Sequence, residues 1–220
     1  MKIFLDTANK DEIKQAYEWG IIDGITTNPS HVAKEGQEFF SLVEDICELV
    51  PDGEISVEVT ATDFEGILKE GRVIAGLHKN IIVKVPLIKS GIQAIKVLSS
   101  EGIKINTTLC FSAVQGLLAA KVGSTYISPF VGRLDSTGTD GMDLVRQLRT
   151  IYDNYDFDTQ ILAAALRHPK HVLEAALAGA EVATMGFSII EQLYYHPQTD
   201  IGLESFLNDW KKLDTKIISG

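Results

Sequence analysis

Lys84 lies in the run Ile81-Ile82-Val83-Lys84-Val85-Pro86. It is a cation inside a short β-branched segment that reads as a buried strand stopping at the proline. Burial disfavours the charged form of an amine. A neutral amine attacks carbonyls, so the segment points to a Schiff-base lysine. The alternative is a lysine on an edge strand whose head reaches water. Glu58 interrupts Ser56-Val57-Glu58-Val59-Thr60 in the same way, and its plain reading is an ion pair with Lys84. Asp6 ends the run Ile3-Phe4-Leu5-Asp6. A carboxylate flanking a buried strand needs a donor or a cation.

Further polar residues stand beside similar runs. Asn28 precedes Pro29 and can form a turn. Asn106 and Thr108 are either satisfied core polar groups or functional ones. Ser128 comes just before Pro129-Phe130. Arg133 and Arg167 are either solvated loop residues or anion-binding ones. His168 and His171 flank Pro169 and belong on an outer helix. No His or Cys cluster has metal-ligand spacing, which disfavours a metal mechanism.

Residues so scattered need a scaffold that gathers them. β-rich runs are read at residues 2–5, 22–26, 55–60, 81–86, 103–109, 125–129, 159–163 and 181–185. Helical patterns lie between most of them, at 11–19, 36–50, 63–77, 91–100, 112–121, 140–152 and 169–178. Asn9 or Lys10 precedes the first helix, Ser112 opens the fifth, and Gly102, Gly123 and Gly179 follow helix ends. Strict strand–helix alternation implies a parallel sheet with helices outside. Eight units fit a (β/α)8 TIM barrel, an α/β fold whose chemistry sits at the carboxyl ends of the strands. An open doubly wound sheet is the alternative, but the first strand is followed by Asp6-Thr7-Ala8-Asn9 rather than a glycine-rich turn. In the barrel, the polar residues converge on one mouth.

After the eighth unit comes a helix at 187–194, a break at Tyr195-His196-Pro197-Gln198, and an extra C-terminal helix at 199–220 capped by Thr199 or Asp200. Leu203, Phe206, Leu207, Trp210 and Leu213 recur on one face of it. That face packs under its own barrel or on a neighbouring subunit. The chain reads as one barrel domain over residues 1–220.

The 220 residues carry a net charge of −10, which argues against a nucleic-acid or anionic-membrane partner. No apolar stretch approaches the ~18 residues of a spanning helix. The opening residues turn acidic after three apolar ones, so no signal peptide is expected. Cys47 and Cys110 make no disulfide framework, and a cytoplasmic location is the default.

The chain resembles the transaldolase family, in its small single-barrel branch. The resemblance rests on Phe4-Leu5-Asp6-Thr7-Ala8, Asp23-Gly24-Ile25-Thr26-Thr27-Asn28-Pro29-Ser30, Val57-Glu58-Val59, Val83-Lys84-Val85-Pro86, Asn106-Thr107-Thr108-Leu109 and Ser128-Pro129-Phe130-Val131-Gly132-Arg133. It implies a class I aldol mechanism with no metal and no cofactor, acting on sugar phosphates in the pentose phosphate pathway. In it Lys84 forms the Schiff base, and Asp6 carries the proton of the C4 hydroxyl. Glu58 and Thr108 hold a proton-shuttling water. Asn28, Asn106 and Ser128 bind the dihydroxyacetone unit, while Arg133 and Arg167 grip phosphate. It also implies a homo-oligomer, pentamer or decamer, with the last helix reaching a neighbour.

Fructose-6-phosphate aldolases of the same branch carry Gln in place of Glu58 and Tyr in place of Phe130. Both positions therefore favour transfer over release, with the aldolase as the alternative activity. A sugar-phosphate binding protein without turnover is a further alternative. Its only support is Ala165, which stands where relatives usually carry a serine that binds phosphate.

Overall fold

A computed structural model describes residues 1–213. Its elements are β1 (Lys2–Asp6), α1 (Lys10–Glu18), β2 (Gly24–Thr26), α2 (Pro29–Glu35), α3 (Phe39–Leu49), β3 (Glu54–Glu58), α4 (Phe64–Ala75), β4 (Ile81–Pro86) and α5 (Lys89–Ser100). They continue as β5 (Ile105–Cys110), α6 (Ala113–Lys121), β6 (Tyr126–Pro129), α7 (Val131–Asp135), α8 (Gly141–Asn154) and β7 (Gln160–Leu166). The last are α9 (Pro169–Leu177), β8 (Val182–Met185), α10 (Phe187–Tyr194) and α11 (Pro197–Lys211). The eight strands pair in parallel, in sequence order, and β8 closes on β1. This is the (β/α)8 barrel with an extra C-terminal helix.

The two-residue period of a strand builds the layers. In β4, Ile81, Val83 and Val85 face outward into the main core beneath the helices. Ile82 faces inward, where it packs with Phe4, Tyr126, Leu162, Ala164 and Val182 in the barrel interior. Lys84 follows Ile82 on that inner face, one layer nearer the carboxyl ends. The interior is tight enough to dictate a glycine. A Cβ at Gly24 would lie 2.3 Å from the carbonyl oxygen of Glu54 and 2.8 Å from the Phe4 ring. At the opposite end Glu54 accepts from Lys2 (3.0 Å), Lys104 (2.9 Å) and Tyr126 (2.5 Å). Burial raises its pKa, but these hydrogen bonds outweigh burial and hold it below the ordinary carboxylate value.

Three expectations change. The helix expected at 36–50 is α3, starting at Phe39, and an unexpected helix, α2, precedes it. Asn28 caps α2, Pro29 opens it, and Gly36 at φ +62° ends it before α3 begins. The last helix starts at Pro197, capped by the His196 side chain rather than by Thr199 or Asp200. Residues 214–220 of the expected helix lie outside the described residues. That helix does not bury an apolar face under its own barrel, since Phe206 is 75% and Leu203 56% exposed.

The cysteines are free and buried. Burial pushes the Cys47 thiol up to about 11 and that of Cys110 to about 12, so neither is a thiolate at neutral pH.

Candidate active site

A cavity of about 400 Å³ opens at the carboxyl ends of the strands. Asp6, Asn28, Glu58, Lys84, Thr108, Ser128, Phe130 and Arg133 all line it. Lys84 is 5% exposed, and its Nζ donates to the carbonyl oxygen of Thr27 at 3.0 Å. It also lies 3.2 Å from Glu58 Oε2, so the ion pair read for Glu58 is present, and it opens onto the cavity. The parallel register explains the contact, because Glu58 and Lys84 are Cα partners across β3 and β4.

Asp6 Oδ1 accepts from Thr26 Oγ1 at 2.8 Å, and Thr26 is itself 2.6 Å from Thr184 Oγ1. With Thr26 donating to the carboxylate, Thr184 is the donor in the second bond. Thr108 Oγ1 is buried and has no hydrogen-bond partner among the described residues. It stands within a break in register between β5 and β6, where Leu109 takes φ +62°. A matching break follows Ala163, with Ala165 at φ +56°. Positive φ is uncommon outside glycine, and here it occurs at two strand ends that face the cavity.

Asn28 serves two purposes. Its Oδ1 caps α2 by accepting from the His31 N–H at 3.1 Å, while its Nδ2 is 3.2 Å from His31 Nδ1. Asn106 is fully buried and sits off the cavity wall. It donates to Ser56 Oγ at 3.1 Å and accepts from Ser128 Oγ at 2.7 Å. Its two polar ends are thus satisfied by neighbours, and Ser128 connects it to the cavity.

The arginines differ in placement. Arg133 is exposed and lines the cavity, its guanidinium carbon 4.8 Å from the centre of the Phe130 ring. Arg167 stands off the cavity wall, behind Gly132. A Cβ at Gly132 would come within 2.7 Å of Arg167 Nε and 2.3 Å of the Ala165 carbonyl oxygen. The Arg167 N–H donates to His171 Nδ1 at 3.2 Å, and His171 Nε2 is 2.9 Å from Asp135 Oδ2. Burial, reinforced by the neighbouring His168 ring, lowers the His171 pKa despite Asp135. A neutral ring with Nδ1 accepting and Nε2 donating fits both contacts.

The sequence reading missed His31 and Lys34, which also line the cavity. Both ride on α2. The Asn-Pro pair that starts that helix is a recognised opening signal, so a helix there was legible. Thr26 and Thr184 were missed for another reason. Polar residues in three- or four-residue strands carry no periodic signal.

Compared with known proteins, residues 3–217 match the family model described as transaldolase/fructose-6-phosphate aldolase. A probable transaldolase from Hydrogenobaculum sp. (strain Y04AAS1) is 55% identical over 216 residues, covering 98% of this chain and 99% of the relative. One from Petrotoga mobilis is 56% identical, covering 96% of both chains. One from Aquifex aeolicus is 54% identical, covering 98% of this chain and 99% of the relative. Among solved structures, a thiamine phosphate pyrophosphorylase from Pyrococcus furiosus superposes with a TM-score of 0.56 over 84% of each chain, at 14% identity. That likeness is one of fold alone.

Proposed function

The chain belongs to the transaldolase/fructose-6-phosphate aldolase family, and we propose that it moves a dihydroxyacetone unit from a ketose phosphate to an aldose phosphate through a Schiff base on Lys84. The observation that carries this reading is the Lys84 amine itself. It is buried, held by Thr27 and Glu58, and turned into a cavity of sugar size.

The Lys84 amine attacks the ketose C2 carbonyl, and loss of water gives the iminium. Glu58 and Thr108 handle the protons of that step through a water. The Thr108 hydroxyl, without a partner among the described residues, and the Glu58 carboxylate beside Nζ support this. Asp6 takes the C4 hydroxyl proton as the C3–C4 bond breaks, with the iminium as electron sink. The Asn28 amide, whose oxygen is committed to the helix cap, donates to the dihydroxyacetone hydroxyls. Ser128 binds the same unit and is oriented by Asn106. Arg133 takes the phosphate directly, with Arg167 behind it.

Transfer rather than release is the favoured outcome. Phe130 carries no phenol to protonate the waiting fragment, and Glu58 is a carboxylate. Fructose 6-phosphate and sedoheptulose 7-phosphate are the donors, in the cytoplasmic pentose phosphate shunt. No helix among the described residues is long and apolar enough to cross a membrane. The protein acts as one barrel domain, assembled as a pentamer or decamer through α11. The exposed Ile201, Leu203, Phe206 and Leu207 on that helix support this assembly.

Borohydride reduction in the presence of fructose 6-phosphate, followed by peptide mass mapping, tests the mechanism. An adduct on Lys84 is expected, and the absence of any adduct overturns it. Product analysis with and without erythrose 4-phosphate tests the outcome. Free dihydroxyacetone formed at full rate without acceptor assigns the aldolase activity instead.

A further inference from the structure

His31 has no part in the steps above, yet among the described residues it is the basic group within ion-pair distance of the proton carrier. Its Nδ1 is 3.7 Å from Asp6 Oδ1. The placement is built. Asn28 caps α2 through the His31 N–H, which sets His31 in the first turn, and the Asn28 amide then lies against the imidazole edge at 3.2 Å from Nδ1 and 3.4 Å from Nε2. The ring is turned inward, 22% exposed beside a carboxylate that is 28% exposed. It stands between the main cavity and a second polar one of about 380 Å³, and lines both together with Asp6 and Lys34.

We propose that His31 holds the proton that Asp6 removes from the substrate, and that this storage keeps the bound dihydroxyacetone fragment available for transfer. The inference rests on the Schiff-base reading of Lys84. In the cleavage step the C4 O–H bond breaks and its proton passes to Asp6. The C3–C4 electron pair moves into the iminium, leaving an enamine on Lys84 and a free aldose phosphate. A carboxylic acid left beside that enamine is a proton donor to C3. Protonation there, followed by hydrolysis of the imine, releases free dihydroxyacetone.

An imidazole is a stronger base than a carboxylate. A neutral His31 therefore takes the proton from Asp6, leaving a carboxylate that cannot quench the enamine. When the acceptor aldehyde is attacked by C3, the proton returns through Asp6 to the new hydroxyl. The contact needs to shorten by about half an ångström or more to reach hydrogen-bond distance, and such contacts commonly tighten once substrate is bound.

Storage works only while His31 is neutral. The charged groups that face it are Asp6 from β1, Glu12 from α1, and Lys34 and Glu35 on its own helix, with Glu58, Lys84 and Arg133 across the main cavity. Glu12 is already engaged by the Thr7 hydroxyl at 2.7 Å.

The test compares His31→Gln and His31→Leu with the unchanged protein. The readouts are free dihydroxyacetone against transferred product, with fructose 6-phosphate and erythrose 4-phosphate, between pH 5.5 and 8.5. In the unchanged protein the release fraction rises toward acid. In both variants it is roughly tenfold higher at neutral pH and flat across the range. Gln keeps the polar contact with Asn28 and cannot hold a proton. A release fraction restored by Gln therefore assigns His31 a packing role and overturns the proposal. So does an unchanged ratio in both variants while borohydride still traps an adduct on Lys84. No trapped adduct in the unchanged protein overturns the Schiff-base reading itself, and this inference falls with it.

Discussion

Replacing Ala165 with serine tightens phosphate binding without altering the chemical step. Ala165 lines the cavity at φ +56°, so the positive φ is already part of the native backbone. Serine is no more branched than alanine on its Cβ path, and the substitution changes stability by no more than about 0.5 kcal/mol. The carbonyl of this residue lies where a Gly132 side chain would be, which brings α7, and so Arg133, close against it. On the proposed reading, a hydroxyl added at Ala165 joins Arg133 around the substrate phosphate, with Arg167 behind it.

A hydrogen bond to a charged group is worth about 1.5–3 kcal/mol. At about 1.4 kcal/mol per decade that is roughly a tenfold to hundredfold gain in affinity. The lower end applies here because Arg133 is exposed and the anion stays partly hydrated. The gain is the same before and at the transition state, so KM for fructose 6-phosphate falls while kcat holds. The assay is steady-state transfer to erythrose 4-phosphate, paired with competitive inhibition by inorganic phosphate, which tightens by the same factor. An unchanged KM refutes the placement of phosphate at Ala165. An equal fall in KM for unphosphorylated fructose refutes it too, because the new hydroxyl would then be serving the sugar.

Other perturbations have outcomes of their own. Phe130→Tyr puts a phenol in the cavity that Lys84 also lines; the ratio of released dihydroxyacetone to transferred product rises several-fold, and an unchanged ratio removes Phe130 from the transfer-or-release decision. Glu54 is held below its ordinary value of 4.5 by Tyr126, Lys104 and Lys2 against the cost of burial. Its stabilisation is therefore present above that value and lost as pH falls through the lower, folded one. Glu54→Gln costs about 1–3 kcal/mol in urea melts at pH 7 and flattens the acid limb; an acid limb that keeps its slope refutes the assignment. Gly24→Ala drives a methyl into the Glu54 carbonyl and the Phe4 ring and costs about 3 kcal/mol or more. A loss below about 1 kcal/mol would show that β2 can shift.

The barrel was legible because each strand carries its own signal. The run at 81–86 alternates outward Ile81, Val83 and Val85 with inward Ile82 and Lys84, and a closed barrel turns that alternation into core and site. The site residues were legible where they broke an apolar pattern, as Lys84 and Glu58 do. Three features left no such mark. Asn28-Pro29 reads equally as a turn and as a helix opening, so it breaks no apolar pattern and leaves His31 and Lys34 on α2 unmarked as part of the site. The register breaks at Leu109 and Ala165 arise because strand ends must bend to form a mouth, and neither residue is a glycine that would announce a positive φ. The exposed face of α11 has the period of a packed helix, and periodicity cannot tell which body it packs on.

The interior layering explains how one barrel tolerates so many polar groups. Phe4, Ile82, Tyr126, Leu162 and Val182 form an apolar plug across the middle. Below it, Glu54 is satisfied by two lysines and a tyrosine. Above it, Ser128, Asn106 and Ser56 form a chain of hydrogen bonds that uses both ends of the Asn106 amide. Burying those groups is then inexpensive, since each has a partner. The groups left incompletely matched are the ones facing the cavity: Thr108 with no partner among the described residues, Lys84 shared between a carbonyl and a carboxylate, and Asp6 with its imidazole neighbour at 3.7 Å. A bound sugar offers hydroxyls and a carbonyl to those three. Within the barrel interior, unmet polar capacity is thus concentrated where a polyhydroxylated substrate can meet it; the other buried side-chain polar atom without a partner among the described residues, Arg149 Nε, lies outside on α8.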